Sequence, residues 1–460
     1  MLLDVTTGLC KWREGVGDVD EVALVANPSY VSARYEVYPL ARRNPGPFPR
    51  IAGFVMDMDG TTTTTEPLCL HSLEWMVRAI TDRPTTDRWK GLDHVRDYPH
   101  IIGNSTTRHV EYLLRTYAES IQPAVFQRTF VKAVLWTAAC ARDPGRRREV
   151  QANAAALGLH AMLADQEYRR LASRGETAAA IDSAAADRLA GRYAPEVRLR
   201  TFNDQVRAAV DIYYTRYHEI LAAINDGRAA GITLSSGSCG ARDLIGPMPG
   251  VGVFLPLVKG WLGDEARVFY GDLAAHVEAK TGRAPETSAS DLAALGRWFA
   301  SHPARVAVVT SSIEYEADIV LREVFRVLRG GVKSCPLAKG MVSRLEEAWA
   351  DYRQFYDAVV TASDSSEIRL KPHRDLYVIA LHRMGVGPDE YAQVVGFEDS
   401  ESGVIAIRAA GVGCSLALPF AQSSGHDFSA AARVVAGQLP EVILNHRCLV
   451  SPQALGKQDQ

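Results

Sequence analysis

Apolar positions along this chain follow two patterns. Short unbroken runs, such as Ile51-Ala52-Gly53-Phe54-Val55-Met56, Val306-Ala307-Val308-Val309 and Val394-Val395-Gly396-Phe397, lack polar alternation. Such runs predict strands covered on both faces. Arg305 to Val309, Ala358 to Val360, Gln393 to Phe397 and Cys414 to Leu418 read as strands, with helical spacing over Glu316 to Leu328, Asp375 to Met384 and Ser402 to Ala410. This alternation implies an α/β fold with a parallel sheet and ligand chemistry at the carboxyl ends of its strands. Between Leu68 and about Gly231 the pattern changes. Alanine is dense, and apolar residues recur at three and four over Ser72 to Ile80, Thr107 to Thr116, Val125 to Cys140, Val150 to Ser173, Glu176 to Leu189 and Phe202 to Ile224. A mostly helical insertion is expected there, with Gly231 to Leu234 as a short strand returning to the sheet. Val22 to Val25 and Tyr30 to Tyr38 read as a small hairpin, joined to the first buried strand by a Pro/Gly/Arg-rich link.

Length adds that 460 residues exceed one ordinary core and imply two or three units. The chain is 47% hydrophobic and 23% charged with a formal net charge of −3, which offers no electrostatic case for nucleic acid. No apolar run reaches the about 20 residues of a membrane span, and Met1-Leu2-Leu3-Asp4 lacks the basic start of a signal peptide. Seven scattered cysteines without a CxxC pair read as free thiols in a reducing compartment, so a cytoplasmic location is expected.

The chemistry starts at Asp57-Met58-Asp59-Gly60-Thr61, directly behind the first apolar run. Phosphate monoesters resist hydrolysis because the attacked group is anionic. A placed nucleophile, charge cancellation and protonation of the leaving oxygen overcome that barrier. Asp57 can attack phosphorus, and Asp59 can protonate the leaving alcohol and then take a proton from water. The Asp59 carbonyl could also ligate a metal. Gly60 permits a tight turn with amides facing phosphate. An EF-hand loop fits worse, because its required glycine falls at Thr62. Three later positions supply the rest. Thr310, followed by Ser311 and Ser312, ends an apolar run and offers a hydroxyl, although a helix cap explains it equally. Lys371, in Leu370-Lys371-Pro372-His373, can neutralise anionic charge. Glu398-Asp399-Ser400 places two acids at a buried strand end, which is costly unless they are paired or metal-bound. With Asp57 they make a hard oxygen site suited to Mg²⁺, and Gly403 lets the next helix start close by. The P-loop, H-E-x-x-H and G-x-S-x-G patterns are absent.

In order and context, these motifs resemble the haloacid dehalogenase superfamily of phosphatases and phosphomutases. The likeness runs over Phe54 to Thr61, Val308 to Ser311, Lys371 to Tyr377, and Gly396 to Gly403 with Ala409-Ala410-Gly411; the last two look like its β-phosphoglucomutase-type branch. It implies a Rossmann-like core with a helical cap inserted after the first motif. By the resemblance, Asp57 is the nucleophile, Asp59 the acid/base, Thr310 and Lys371 hold the phosphoryl group, and Glu398 and Asp399 complete a Mg²⁺ site with Asp57 and Asp59. Asp59 argues against phosphorus–carbon cleavage and dehalogenation, whose family members depart at that position.

The expected organisation is an N-terminal extension over 1–50 packed on the core, a catalytic core of 51–67 and 249–450, a cap over 68–248, and a tail over 451–460. The stretch 252 to 300 reads as helices beside the core. Ile101 to Thr106 resembles the loop in which such caps read substrate, which nominates Gly103, Asn104, Ser105 and Arg108, with Ser311 from the core. Arg108 could equally be an exposed helix arginine. Ser235 to Gly240 is rich in small donors and reads as a ligand loop or a hinge. The expected activity is Mg²⁺-dependent hydrolysis of a small phosphorylated metabolite through an aspartyl-phosphate. A sugar phosphomutase and an inactive core carrying a binding cap are the alternatives. Substrate identity and oligomeric state are not legible.

Overall fold

The computed structural model describes residues 20–27, 31–81, 91–93, 95–101, 106–173, 181–231, 244–366, 369–420, 423, 425–445, 448–451 and 453–455. Two units divide the chain: Met1–Thr64 with Gly246–Gln460, and Thr65–Ile245.

The first unit contains β1 (Val22–Ala26), β2 (Tyr35–Pro39), β3 (Gly53–Asp57), β4 (Thr63–Thr64), β5 (Gly246–Pro247), β6 (Arg305–Val309), β7 (Ala358–Val360), β8 (Val394–Glu398), β9 (Cys414–Ala417) and β10 (Arg433–Val434). Six of these form one sheet in the order β10-β9-β8-β3-β6-β7, and every pairing in it is parallel. The α/β class read from the apolar runs is the class observed. All residues of β3 and β8 are buried, as unbroken apolar strands require. On one face Phe54 stacks on Phe397 of the neighbouring strand, with centroids 5.8 Å apart, and Phe254 meets both edge-on. Burying each such ring stabilises the unit by roughly 1.5–3 kcal/mol relative to exposure. Phe254 comes from the helix Val251–Val258, within the stretch expected to flank the core. On the other face Val55, Ala307 and Val309 pack with Leu376, Tyr377, Ala406 and Ile407. The chain builds β6 and β7 outward from β3, then returns to β8 on β3's other side. That reversal opens a crevice at the carboxyl ends of the central strands.

β1 and β2 pair antiparallel, with alternating burial on β1. Ala23, Val25, Tyr38 and Leu40 turn inward onto Ala409 of the helix Glu401–Ala409. Arg408 of that helix, almost wholly buried, donates to the carbonyls of Ala41 and Ala430 and to Glu21.

Among its described residues the second unit is helical: Glu66–Thr81, Tyr98–Ile101, Thr106–Thr116, Pro123–Cys140, Pro144–Ala156, His160–Ala164, Gln166–Ala172, Ser183–Tyr193 and Phe202–Asn225, with short 3₁₀ turns. The continuous helix expected from Val150 to Ser173 is three helices. Gly158 breaks it with φ +102°, where a Cβ would lie 2.7 Å from the Glu196 carbonyl, and Asp165 caps the third helix by accepting from the Glu167 N–H. The helix expected from Glu176 starts at Ser183, where Asp182 accepts from two backbone N–H groups; residues 176–180 lie outside the described residues. The short strand expected over Gly231 to Leu234 also falls outside them, apart from a 3₁₀ turn at Ala229–Gly231. Among the described residues no helix is long and apolar enough to cross a membrane.

Candidate active site

Backbone pairing alone sets two acidic side chains side by side. Asp57 ends β3 opposite Val309 of β6. On the other flank Met56 pairs with Phe397, so Glu398 lies level with Asp57. Thr310 follows β6, and its N–H donates to the Val360 carbonyl at 2.9 Å. Lys371 sits in the loop ahead of the helix Asp375–Arg383, and Asp399 follows β8. Behind Asp57 the chain turns tightly. The Thr62 hydroxyl donates to the Asp57 carbonyl at 2.6 Å and the Thr63 hydroxyl to the Met58 carbonyl at 3.1 Å. Gly60 takes φ +83°, and a Cβ there would lie 2.5 Å from Asp399 Oδ2, so glycine serves both the turn and the approach of the acid.

Lys371 is the hub. Its Nζ donates to Asp57 Oδ1 and lies 2.7 Å from Glu398 Oε1. All three side chains are nearly fully buried. The Tyr377 hydroxyl donates to the same Glu398 oxygen at 2.5 Å, and its ring lies 5.2 Å from the Lys371 ammonium. Ser400 donates to the other oxygen, Oε2, at 3.0 Å. The next helix crowds this carboxylate: a Cβ at Gly403 would fall 1.8 Å from it.

Asp57, Glu398 and Asp399 each offer an oxygen within 4.8 Å of the others, and the Lys371 ammonium reaches two of the three. Burial pushes the Asp57 carboxyl well above the usual carboxylate range, and the charge of Glu398 pushes it further, against the pull of Lys371. Burial pulls the Lys371 ammonium down, but the charges of Asp57 and Glu398 outweigh it and hold the group protonated. Burial and then Glu398 raise the Tyr377 phenol, so it remains a donor. Asp57 Oδ2 and the Thr61 hydroxyl are buried without a hydrogen-bond partner among the described residues. Three converging carboxylates, one of whose oxygens accepts no hydrogen bond among the described residues, are hard donors that fit a divalent cation such as Mg²⁺.

Asp59 stands apart from that triad. Its Oδ2 accepts from the Thr310 hydroxyl at 2.9 Å and from the Ser312 hydroxyl at 3.2 Å, while the Ser312 N–H donates to the Thr310 oxygen at 2.9 Å. Two hydroxyls therefore orient the Asp59 carboxylate, whose charge also adds to the upward push on Asp57.

Among the other sequence nominees, Ser311 is exposed and Arg108 is exposed on the helix Thr106–Thr116. Gly103, Asn104 and Ser105 lie outside the described residues, as does the loop Ser235 to Gly240. Three site residues went unread in the sequence as functional: Tyr377, Ser312 and Ser400. Tyr377 carries a signal, because it lies six positions past Lys371 at the start of a helix whose buried face includes Leu376, Ala380 and Leu381. A tyrosine buried at that height needs a partner for its hydroxyl. Ser400 is the N-cap of the helix Glu401–Ala409, accepting from the Gly403 N–H.

No family model matches this chain, and no curated protein matches it. Among solved structures it is similar to CbbY from Rhodobacter sphaeroides in complex with phosphate, at 14% identity, covering 86% of this chain and 100% of that one with a TM-score of 0.37. It is also similar to a mutant CbbY from the same organism in complex with xylulose-(1,5)bisphosphate, at 14% identity, covering 85% of this chain and 96% of that one with a TM-score of 0.36. A HAD family hydrolase from Deinococcus radiodurans R1 with bound phosphate and sodium is similar at 13% identity, covering 87% of this chain and 97% of that one, with a TM-score of 0.37.

Proposed function

We propose that this chain is a Mg²⁺-dependent phosphatase of the haloacid dehalogenase type, acting on a small-molecule phosphate monoester through an aspartyl-phosphate. One observation carries it: Lys371 bridges Asp57 and Glu398 beside Asp399, while one buried Asp57 oxygen accepts no hydrogen bond among the described residues. Asp57, Glu398 and Asp399 would hold the Mg²⁺, which when bound cancels charge on the phosphoryl group.

The chain's own residues supply the remaining steps. An Asp57 carboxylate oxygen attacks phosphorus as the bond to the alcohol oxygen breaks, and Asp59 gives that oxygen its proton. The now-ionised Asp59 takes a proton from water as the water attacks the aspartyl-phosphate, which releases phosphate and restores Asp57. Lys371 stabilises the anionic phosphoryl group throughout. Thr310 and Ser312 orient the Asp59 carboxyl, and the Thr310 hydroxyl would turn from Asp59 to donate to the phosphoryl group. The helical insertion is assigned the role of a substrate-reading cap. Scattered free cysteines, Cys69, Cys140, Cys335, Cys414 and Cys448 among the described residues, support a reducing, cytoplasmic compartment.

The test is phosphate release from p-nitrophenyl phosphate with Mg²⁺ and with chelator, together with acid-quench trapping of labelled enzyme. Metal-dependent release and a trapped acyl-phosphate, both lost in Asp57→Asn, are expected. Conversion of a hexose phosphate to its isomer without phosphate release would favour the mutase instead. No turnover on any phosphate ester would overturn the assignment.

A further inference from the structure

The loop that carries Lys371 is gripped from outside the sheet. Glu36 and Tyr38 of β2 face the segment 369–375. Arg369, two residues before the lysine, donates to Glu36 Oε1 and forms a two-pronged pair with Asp375 at 3.1 and 3.0 Å. Two residues after the lysine, His373 Nδ1 lies 2.9 Å from the Tyr38 hydroxyl, with the rings edge-on at 5.9 Å. The Tyr38 hydroxyl has one proton and donates it to Glu36 Oε2 at 2.6 Å. His373 must therefore donate from Nδ1 to the Tyr38 oxygen, which sets its tautomer. The Arg374 guanidinium lies 5.5 Å from the centre of the Tyr38 ring. From β1's end, Asn27 donates to Glu36 Oε1 at 3.2 Å. Tyr38 and His373 are both buried.

Resting on the phosphatase assignment of Lys371, we propose that Glu36 and Tyr38 are positioning residues for that lysine: the N-terminal hairpin locks the 369–375 loop so that the ammonium stays between Asp57 and Glu398. Neither residue approaches the carboxylates itself; each acts through the loop. The lock is made of charge-assisted and buried hydrogen bonds, which hold geometry more tightly than apolar contact alone. A lysine displaced by about 1 Å loses a large part of its effect on a transition state.

The experiment is a double-mutant cycle in the full chain, pairing Tyr38→Phe with Lys371→Ala and, separately, Glu36→Gln with Lys371→Ala. Each β2 variant should lower kcat/KM for p-nitrophenyl phosphate about tenfold in the wild-type background and about twofold or less beside Lys371→Ala, the non-additivity expected of coupled groups. Thermal midpoints check that the variants fold. A second readout needs no turnover: reductive methylation of Lys371, followed by mass spectrometry, should rise several-fold in Glu36→Gln/Tyr38→Phe, with Lys259 at its Asp357 ion pair unchanged as the internal control. Equal losses in both backgrounds, or unchanged labelling of Lys371, would overturn the proposal. Should the wild type lack phosphatase activity, that assignment fails by itself and labelling alone decides whether the hairpin sets the lysine.

Discussion

The Lys371 ammonium lies buried between the Asp57 and Glu398 carboxylates, so both stability and the proposed activity should answer to it. In Lys371→Met the Asp57–Glu398 pair is left without its cation. Breaking a buried pair in this way costs about 3–5 kcal/mol. The metal-free variant should therefore melt well below the wild type, and Mg²⁺ should raise its melting temperature more than it raises the wild type's. Turnover should stay down about 10²-fold or more even with saturating metal. A thermal-shift titration with Mg²⁺, run beside a phosphatase assay, checks both halves. Tyr377 permits a subtler test. Tyr377→Phe removes the hydroxyl from Glu398 and keeps the ring, so the Mg²⁺ concentration for half-maximal activity should rise about 10-fold or more, with little change in melting temperature. An unaltered metal requirement would separate the phenol from the acid's function. Gly403→Ala drives a methyl into the Glu398 carboxylate; a loss of metal-dependent activity with the sheet intact by circular dichroism is the expected result.

At the scale of elements, what the sequence made legible follows from where the information lies. β3, β6 and β8 are continuous apolar runs, so their strands could be read locally and came within two residues of those observed. The break at Gly158 was missed because three-and-four spacing continues on both sides, while the turn is set by a contact with Glu196 far along the chain. The helices Lys339–Ala348 and Tyr352–Phe355 were missed for a similar reason: their order depends on Phe325, Trp349 and Phe355 packing together. The run Arg146-Arg147-Arg148 reads in sequence as solvated helix surface, yet Arg146 is buried and donates to Asp211 at 2.6 Å, with its guanidinium 4.4 Å from the Tyr214 ring centre. Burial pushes Asp211 up to about 6 against the pull of Arg146. A carboxyl whose folded pKa exceeds its unfolded value of about 3.9 favours the folded state most when protonated. Its contribution to stability therefore falls as pH rises from about 4 to about 6 and then levels off. Urea midpoints should show this decline in the wild type relative to Asp211→Asn. Arg146→Met alone should cost about 3–5 kcal/mol, and Arg146→Met with Asp211→Leu much less, because the orphaned charge is gone.

Over the whole molecule, the site joins positions that no local reading could bring together. Their order, the carboxyl-end rule and the family resemblance together nominated Asp57, Lys371, Glu398 and Asp399, because a parallel sheet gathers its strand ends and the loops after them by topology. Contacts that depend on three-dimensional packing escaped that logic: Ser312 at Asp59, Tyr377 at Glu398, and β2 against the lysine loop. Chelation gives a global prediction. Stripping divalent ions should abolish turnover and lower the melting temperature together, and both should return on adding Mg²⁺, since a ligand that binds only the folded form stabilises it. The two-rung ladder of β4 and β5, which pairs Thr63 with Pro247 and Thr64 with Gly246, has a consequence for descent. Everything encoded between those rungs exits and rejoins the scaffold at neighbouring points, and doubling such a detour costs only about 0.6 kcal/mol in closure entropy. Evolution can thus exchange or enlarge that cassette like a tool bit in a fixed chuck, leaving the sheet and its strand ends as they are.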